Sequence, residues 1–307
     1  MLAPPTSLHL RTSVVLLTLA AAFVAGCTSG EEPSQAPNAF LSGDLWDDGL
    51  AEVAFYNLTR TQDVYGQPAD ERVLVGTYLV KHDYSPSAEA KDQRNAGDAI
   101  EAFKFALFYT LPSGSYEYRR AHVVNSSRRE GQPLKWSFTQ FDWCSNVYEE
   151  MVFSGDRVRG LFRSDDYGNR TLEQRAVAGA VPAAHVPLLV RMSDLAPGDS
   201  LSFSIITLDG EAIPGVMTSV GSEEYSLSGA ITTAEILEVR YAAQVPSPIG
   251  ELAATSERYW VGPLPDRILY RIEAADGRYR LEMVESARSA YWEENVFDGL
   301  SQVRQRP

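Results

Sequence analysis

The 307-residue chain is poor in the residues that most often announce a chemistry. It has two cysteines and four histidines. Two cysteines exclude a disulfide-built scaffold, so the core must be large enough to stand without one. The histidines are scattered, with no paired spacing such as His-x-x-x-His, so they point to no metal site. Basic residues are also scarce: 27 Lys and Arg stand against 41 Asp and Glu, for a net charge of −14. That balance excludes nucleic acid as a partner, because a phosphate backbone selects Lys- and Arg-rich faces. A phosphate-cradling glycine loop is missing, and no cofactor is implied. Beyond residue 24 no apolar run approaches the roughly 18 residues that cross a membrane.

What is present begins at the N-terminus. Arg11 precedes an apolar run from Ser13 to Val24, and small residues follow. A basic start, a short apolar core and small residues describe a secretory signal. The run ends in Val24-Ala25-Gly26-Cys27, which resembles the lipobox of bacterial lipoproteins. That resemblance implies diacylglycerol on the Cys27 thiol and cleavage just before it. It also leaves Cys144 without a disulfide partner. Cys144 follows Trp143 in an aromatic run and is expected to be buried. Thr28 stands where such lipoproteins carry aspartate for inner-membrane retention, which implies the periplasmic face of the outer membrane. The expected layout is a signal peptide over 1–26, a flexible tether over 27–39 rich in Pro, Ser, Gly and Glu, and a single β-rich domain over 40–307. The membrane is then a partner through the lipid on Cys27.

The body alternates with period two. Phe103, Phe105, Leu107, Tyr109 and Leu111 share one face of a strand, and Leu134, Trp136 and Phe138 share one face of another. The apolar phase slips at Gln140, with Phe141 and Trp143 following, which predicts a β-bulge or bend. Leu237, Val239 and Tyr241 alternate, as do Tyr279, Leu281 and Met283. Asp276-Gly277 and Asp209-Gly210 sit between alternating runs, where Asp-Gly supplies the positive φ of a tight hairpin. "FSGDRV" and "DYGNRT" are weaker turns of the same kind. Residues 85–98 read as a long polar loop or helical insertion, and Ser286–Leu300 as a place for a short helix. The fold class is mainly β and antiparallel, with few short helices.

Motifs for chemistry are weak. Gly198-Asp199-Ser200-Leu201 spells the signature of the GDSL esterases, but the chain has no histidine downstream of Ser200, and the four residues read as a turn entering a strand. A thiol enzyme would need Cys144 beside a histidine, and His82, His122 and His185 are each isolated. Paired carboxylates such as Asp47-Asp48 and Glu149-Glu150 point to opposite faces when they lie on a strand. No catalytic residue is assigned. One segment stands out by charge: Arg119, Arg120, Arg128 and Arg129 against Glu130 alone, candidate contacts for an anionic headgroup or acidic partner.

Three stretches taken together, Trp46-Asp47-Asp48-Gly49 with Ala51-Glu52, Trp143-Cys144, and Arg288-Ser289-Ala290-Tyr291-Trp292, resemble an uncharacterised family of bacterial envelope lipoproteins. Its members sometimes carry the name septum formation inhibitor Maf, although nothing here resembles the nucleotide pyrophosphatase that properly bears it. The resemblance implies a secreted β-rich lipoprotein and no defined activity. More distantly, the layout is similar to half-barrel lipoprotein carriers, which implies a large curved antiparallel sheet, half-barrel or barrel-like. On that likeness Phe103, Phe105, Tyr109, Trp136 and Phe138 form a candidate apolar face for an acyl-chain ligand. An envelope protein partner, an assembly accessory without a pocket and an envelope hydrolase are the competing readings. The lipobox sequence makes one sharp prediction: Cys27→Ala abolishes labelling by a fatty-acid probe and leaves an uncleaved precursor, as followed by gel mobility.

Overall fold

The computed structural model describes residues 38–64, 67–93, 97–113, 116–143, 145–227, 229–249 and 252–293. The signal segment, Cys27 and Cys144 lie outside these residues. All the described residues belong to one compact unit, Pro37–Pro307.

Among the described residues, sixteen strands form a single sheet. A first meander runs through β1 (Ala51–Val64), β2 (Gln67–Ser85), β4 (Ile100–Ser113), β5 (Tyr116–Ser127), β6 (Pro133–Phe141), β7 (Asn146–Ser154), β8 (Arg157–Ser164) and β9 (Gly168–Arg175). The two-residue β3 (Ala90–Lys91) pairs only with β2. A second meander holds β11 (Ser200–Ile206), β12 (Ala212–Leu227), β13 (Ala230–Pro246), β14 (Ala253–Val261), β15 (Leu269–Ala274) and β16 (Tyr279–Ser289). The short β10 (Ala180–Val181) pairs parallel with β11. The two meanders join where β1 pairs antiparallel with β16, from Ala51 opposite Ser289 to Arg60 opposite Tyr279. The large curved antiparallel sheet expected from the sequence is observed.

The turns follow their residues. Gly277 (φ 75°) and Gly210 (φ 83°) close the β15–β16 and β11–β12 hairpins at the Asp-Gly pairs, in the left-handed region where glycine has no Cβ to clash. Elsewhere the structure departs from the sequence expectation. No bulge occurs at Gln140: the ladder from β6 to β7 stays in register through Phe141, and the strand simply ends there. The chain bends at Trp143, just past the strand end, and Phe141 and Trp143 are exposed there. Residues 286–289 belong to β16 and 291–293 to a turn, and the rest of the segment expected to hold a short helix lies outside the described residues. The polar stretch after Ser85 makes a turn and then β3.

Curvature brings the ends of the sheet together. Arg170 on β9 donates to Asp209 in the β11–β12 turn at 3.2 Å. Leu208, from the same turn, packs against the cluster of Val124, Trp136, Met151 and Val158 on the first meander. The seam is thus closed by side chains, which makes the fold barrel-like although the sheet itself is open.

The interior is filled from one end. Helix α1 (Ala39–Ser42) is capped by Asn38, whose Oδ1 accepts from the backbone of Phe40 and Leu41 at 3.0 and 3.2 Å. Phe40, Trp46 and Phe103 form an aromatic cluster with ring centroids 5.1–5.8 Å apart. Helix α2 (Val186–Met192) enters the concavity with Pro187 in its first turn, where the missing N–H costs nothing, and buries all its residues but Leu189. Each fully buried Leu or Phe contributes roughly 1.5–3 kcal/mol.

Burying α2 also buries Arg191, which is 2% exposed. Its guanidinium donates twice to Glu52 of β1, at 2.8 and 2.6 Å, and once to the Asp266 carbonyl at 2.5 Å. It lies over the Phe40 ring, 5.1 Å from the centroid. The Arg191 carbonyl accepts from Arg267 at 2.8 Å, and Arg267 in turn pairs with Glu235 on β13. Burial raises the Glu52 carboxyl, and the charge and hydrogen bonds of Arg191 oppose that rise. A second buried carboxylate, Glu257, accepts hydroxyls from Tyr241 at 2.7 Å, Tyr259 at 2.8 Å and Tyr279. Removing one member of a buried ion pair leaves an uncompensated charge, at a cost of about 3–5 kcal/mol. Arg191→Met should therefore lower stability by about that amount in urea denaturation, and Glu52→Gln in the Arg191→Met background should recover part of it.

Candidate functional site

Strand periodicity and register decide which side chains share the inner face. Across β4 and β5, Phe103 lies opposite Ser126, Phe105 opposite Val124, Leu107 opposite His122 and Tyr109 opposite Arg120. Across β5 and β6, Val124 faces Trp136, His122 faces Phe138 and Arg120 faces Gln140. β7 continues the rows with Met151 beside Trp136 and Glu149 beside Phe138. The five aromatics expected to form one apolar face do share the concave side of the sheet.

They do not share one environment. Phe103 has no exposure and packs under Phe40 and Trp46, and Phe105 is 5% exposed in the main core cluster. Tyr109, Trp136 and Phe138 instead line a cavity of about 390 Å³. Its opposite wall comes from residues 182–184, 205–209 and 246–248. The α1 and α2 segments cover the Phe103 end of the face, and the cavity remains at the Tyr109 end.

The cavity is apolar through Trp136, Phe138, Met151, Ile206 and Leu208, and polar through Arg120, His122, Glu149, Arg170 and Asp209. Its volume falls within the range of small-molecule sites. The His122 ring lies 4.6 Å from the Phe138 ring and is stacked with Trp136 at 6.2 Å and 17°. Trp136 Nε1–H donates to His122 Nδ1 over a long 3.4 Å. Burial, aided by the nearby Arg120 charge, pushes the imidazole down to about 3. Glu149 is moved the other way: burial raises its carboxyl and Asp209 adds to the rise, while Arg170 opposes it. Arg170 also stacks on Phe162, its guanidinium 4.3 Å from the ring centroid. Arg120 is 6% exposed, donates through Nε to Gln140 at 2.8 Å and lies over Tyr118.

The four arginines expected to meet an anion are not brought together. Arg119 and Arg120 alternate, so Arg119 is exposed on the outside and Arg120 faces the cavity. Arg128 lies at the other rim, where it pairs with Asp47 at 2.7 Å and with Glu101 at 3.3 Å and donates to the carbonyls of Leu41 and Gly43. Arg129 is exposed beside it. The larger depression there, about 770 Å³, therefore offers a cation already held by carboxylates. Ser200 is exposed and its hydroxyl meets that of Thr218 at 2.8 Å, at the turn into β11. Among the described residues, no group of three or more His, Cys, Asp or Glu side chains could hold a metal ion. Trp143 is 81% exposed and stacks on Tyr116 at 6.4 Å; the expected burial of Cys144 lies outside the described residues.

His122 and Glu149 were noted in the sequence only as an isolated histidine and one of a carboxylate pair, and Met151 and Arg170 were not singled out. His122 keeps the period-two phase of Arg120 and Val124, which was legible. Its pairing with Phe138 depends on the β5–β6 register, which was not.

No family model matches the chain, and no curated protein matches it. The motif resemblance to envelope lipoproteins thus has no family match behind it. Among solved structures, a β-barrel-like protein of the domain of unknown function DUF1849 from Brucella abortus is similar in fold. It superposes with a TM-score of 0.48 at 8% identity, covering 78% of this chain and 98% of that one.

The half-buried His122 and the buried His185 yield a pH prediction. His185, fully buried with Nδ1 3.2 Å from Ser126 Oγ, is also pushed down by burial, to about 4. Both imidazoles stay neutral in the fold, whereas the unfolded chain takes up protons below about 6.5. Between those values the unfolded state binds more protons, so stability falls as pH falls from 6.5 toward 4. An NMR titration should show both rings neutral at pH 5.5. A ring titrating at 6.5 would contradict its burial.

Proposed function

We propose that the protein is a lipid-anchored envelope protein that binds an apolar ligand inside its curved sheet. The observation that carries the reading is the cavity on the concave face, where Trp136, Phe138 and Met151 oppose Ile206 and Leu208. A core that only needed filling would bring apolar side chains into contact there, as it does around Phe103. Instead an apolar space with a few convergent polar groups is left, the usual form of a small-molecule site. The anchor in this proposal is the diacylglyceryl group on Cys27, supported by the Val24-Ala25-Gly26-Cys27 sequence. Two acyl chains hold a protein at a bilayer stably where one does not. Thr28 supports placement on the periplasmic face of the outer membrane.

Phe138 tests the ligand reading because it is half-buried and faces the cavity. Phe138→Asp should weaken uptake of a fluorescent fatty-acyl probe by about tenfold or more with little change in melting temperature, since the cavity can hydrate the carboxylate. Phe103→Asp should behave oppositely and unfold the domain, because it buries a charge among Phe40 and Trp46. If the wild-type protein takes up no apolar probe, the binding proposal fails and an assembly role without a ligand moves ahead.

A further inference from the structure

The polar groups of the cavity differ in whether the protein has already engaged them. Arg170 donates to Asp209 and covers Phe162. Arg120 donates to Gln140, lies over Tyr118 and has further interactions, so it is not a free cation. Both guanidinia thus already have partners within the protein, with only Arg120 Nη1 buried without a hydrogen bond among the described residues. His122 is different. A tryptophan Nε1 can only donate, so the bond from Trp136 makes His122 Nδ1 the acceptor and places the ring proton on Nε2. Among the described residues Nε2 has no hydrogen-bond partner, and it is not a sealed core atom. Trp136 and Phe138 fix the plane of the ring, so the direction of this N–H is set before any ligand arrives.

The acidic groups set the charge of what can bind. Glu149 lies across Phe138 from His122 and has no hydrogen-bond partner among the described residues. Asp209 is on the facing wall. A carboxylate-headed ligand would meet the Glu149 carboxyl, while Arg170 and Asp209 already compensate each other. A neutral acceptor has no such conflict and satisfies the imidazole N–H.

We infer that the cavity selects an uncharged acyl ligand, an ester or amide rather than a free fatty acid, whose carbonyl oxygen accepts from His122 Nε2–H while its chain lies against Trp136, Phe138 and Met151. This rests on the ligand-binding reading above and specifies its ligand class. The depressed imidazole, neutral at physiological pH, supports it: a charged ring would instead favour anions.

The test uses a medium-chain brominated fatty acid and its methyl ester as quenchers of tryptophan fluorescence in the full-length protein at pH 7. The ester should bind about tenfold more tightly than the acid, the ratio expected for one net hydrogen bond and an avoided like-charge contact. His122→Phe keeps the ring stack and removes the donor, so it should weaken ester binding severalfold and leave the weak binding of the acid unchanged. His122→Gln, which restores an N–H, should recover part of the ester affinity; a folding defect at this position would not be rescued that way. Acid binding as tight as ester binding in the wild type overturns the inference while leaving the cavity a ligand site. So does a His122→Phe variant that binds ester normally. Absence of quenching by either probe removes both readings together.

Discussion

The Glu52–Arg191 pair is the constraint around which the interior is organised. An arginine cannot be carried into an apolar concavity without a partner, and a carboxylate on β1 is tolerable there only because the arginine arrives. The pair therefore fixes where α2 sits. Through the Asp266 carbonyl, Arg267 and the Phe40 ring it also ties the 263–268 loop, β13 and the first helix to the same point. At about 1.5 Å per residue, the seven residues of α2 span only about 10 Å. β4, at about 3.3 Å per residue, runs roughly 46 Å. So short a plug fills one part of the concavity. The space at the Tyr109 end follows from that difference in length.

The two halves of the inner face then obey different rules. Around Phe103 the problem is packing, and apolar side chains interlock with nothing left exposed. Around His122 the problem is polarity. The rings of Trp136 and Phe138 enclose an imidazole that burial keeps neutral, and Arg170 and Asp209 at the margin are matched to each other. One strand, β5, contributes to both regions, with Val124 and Ser126 on the filled side and Arg120 and His122 on the open side.

Much of this was legible in the sequence, for physical reasons that can be named. Period-two alternation placed Phe103, Phe105, Tyr109, Trp136 and Phe138 on one face because a pleated strand leaves no other choice. Asp209-Gly210 and Asp276-Gly277 located two hairpins because few other residue pairs accept the backbone angles. Trp46, Asp48 and Arg288, quoted from opposite ends of the chain, meet in space: Arg288 pairs with Asp48 and lies over the Trp46 ring. Depth was not legible. Phe105 and Phe138 have the same phase, and only the position of α2 makes one core and the other cavity wall. That helix was missed because "VPLLVRM" is apolar on nearly every side, so it shows neither a helical nor a strand period. The slip at Gln140 marked a bend at Trp143 and not a bulge, and the aromatics that follow it are exposed, so their phase did not report an inner face.

The topology has a consequence for how the chain reaches this state. Within each meander, neighbouring strands are joined mostly by short connections, so their pairing needs only small loops to close. The β1–β16 ladder is different, since it joins Ala51 to Ser289. Loop-closure entropy rises only as the logarithm of loop length, so this single long-range step adds little to the equilibrium cost of the fold. Its weight falls on kinetics, where pairings distant in sequence are slow. Until that ladder forms, each meander presents an unpaired edge strand, and an exposed edge is a template for pairing with another chain. The joint between β1 and β16 therefore removes one sticky edge from each meander, and β9 and β10 remain as the two ends of the sheet.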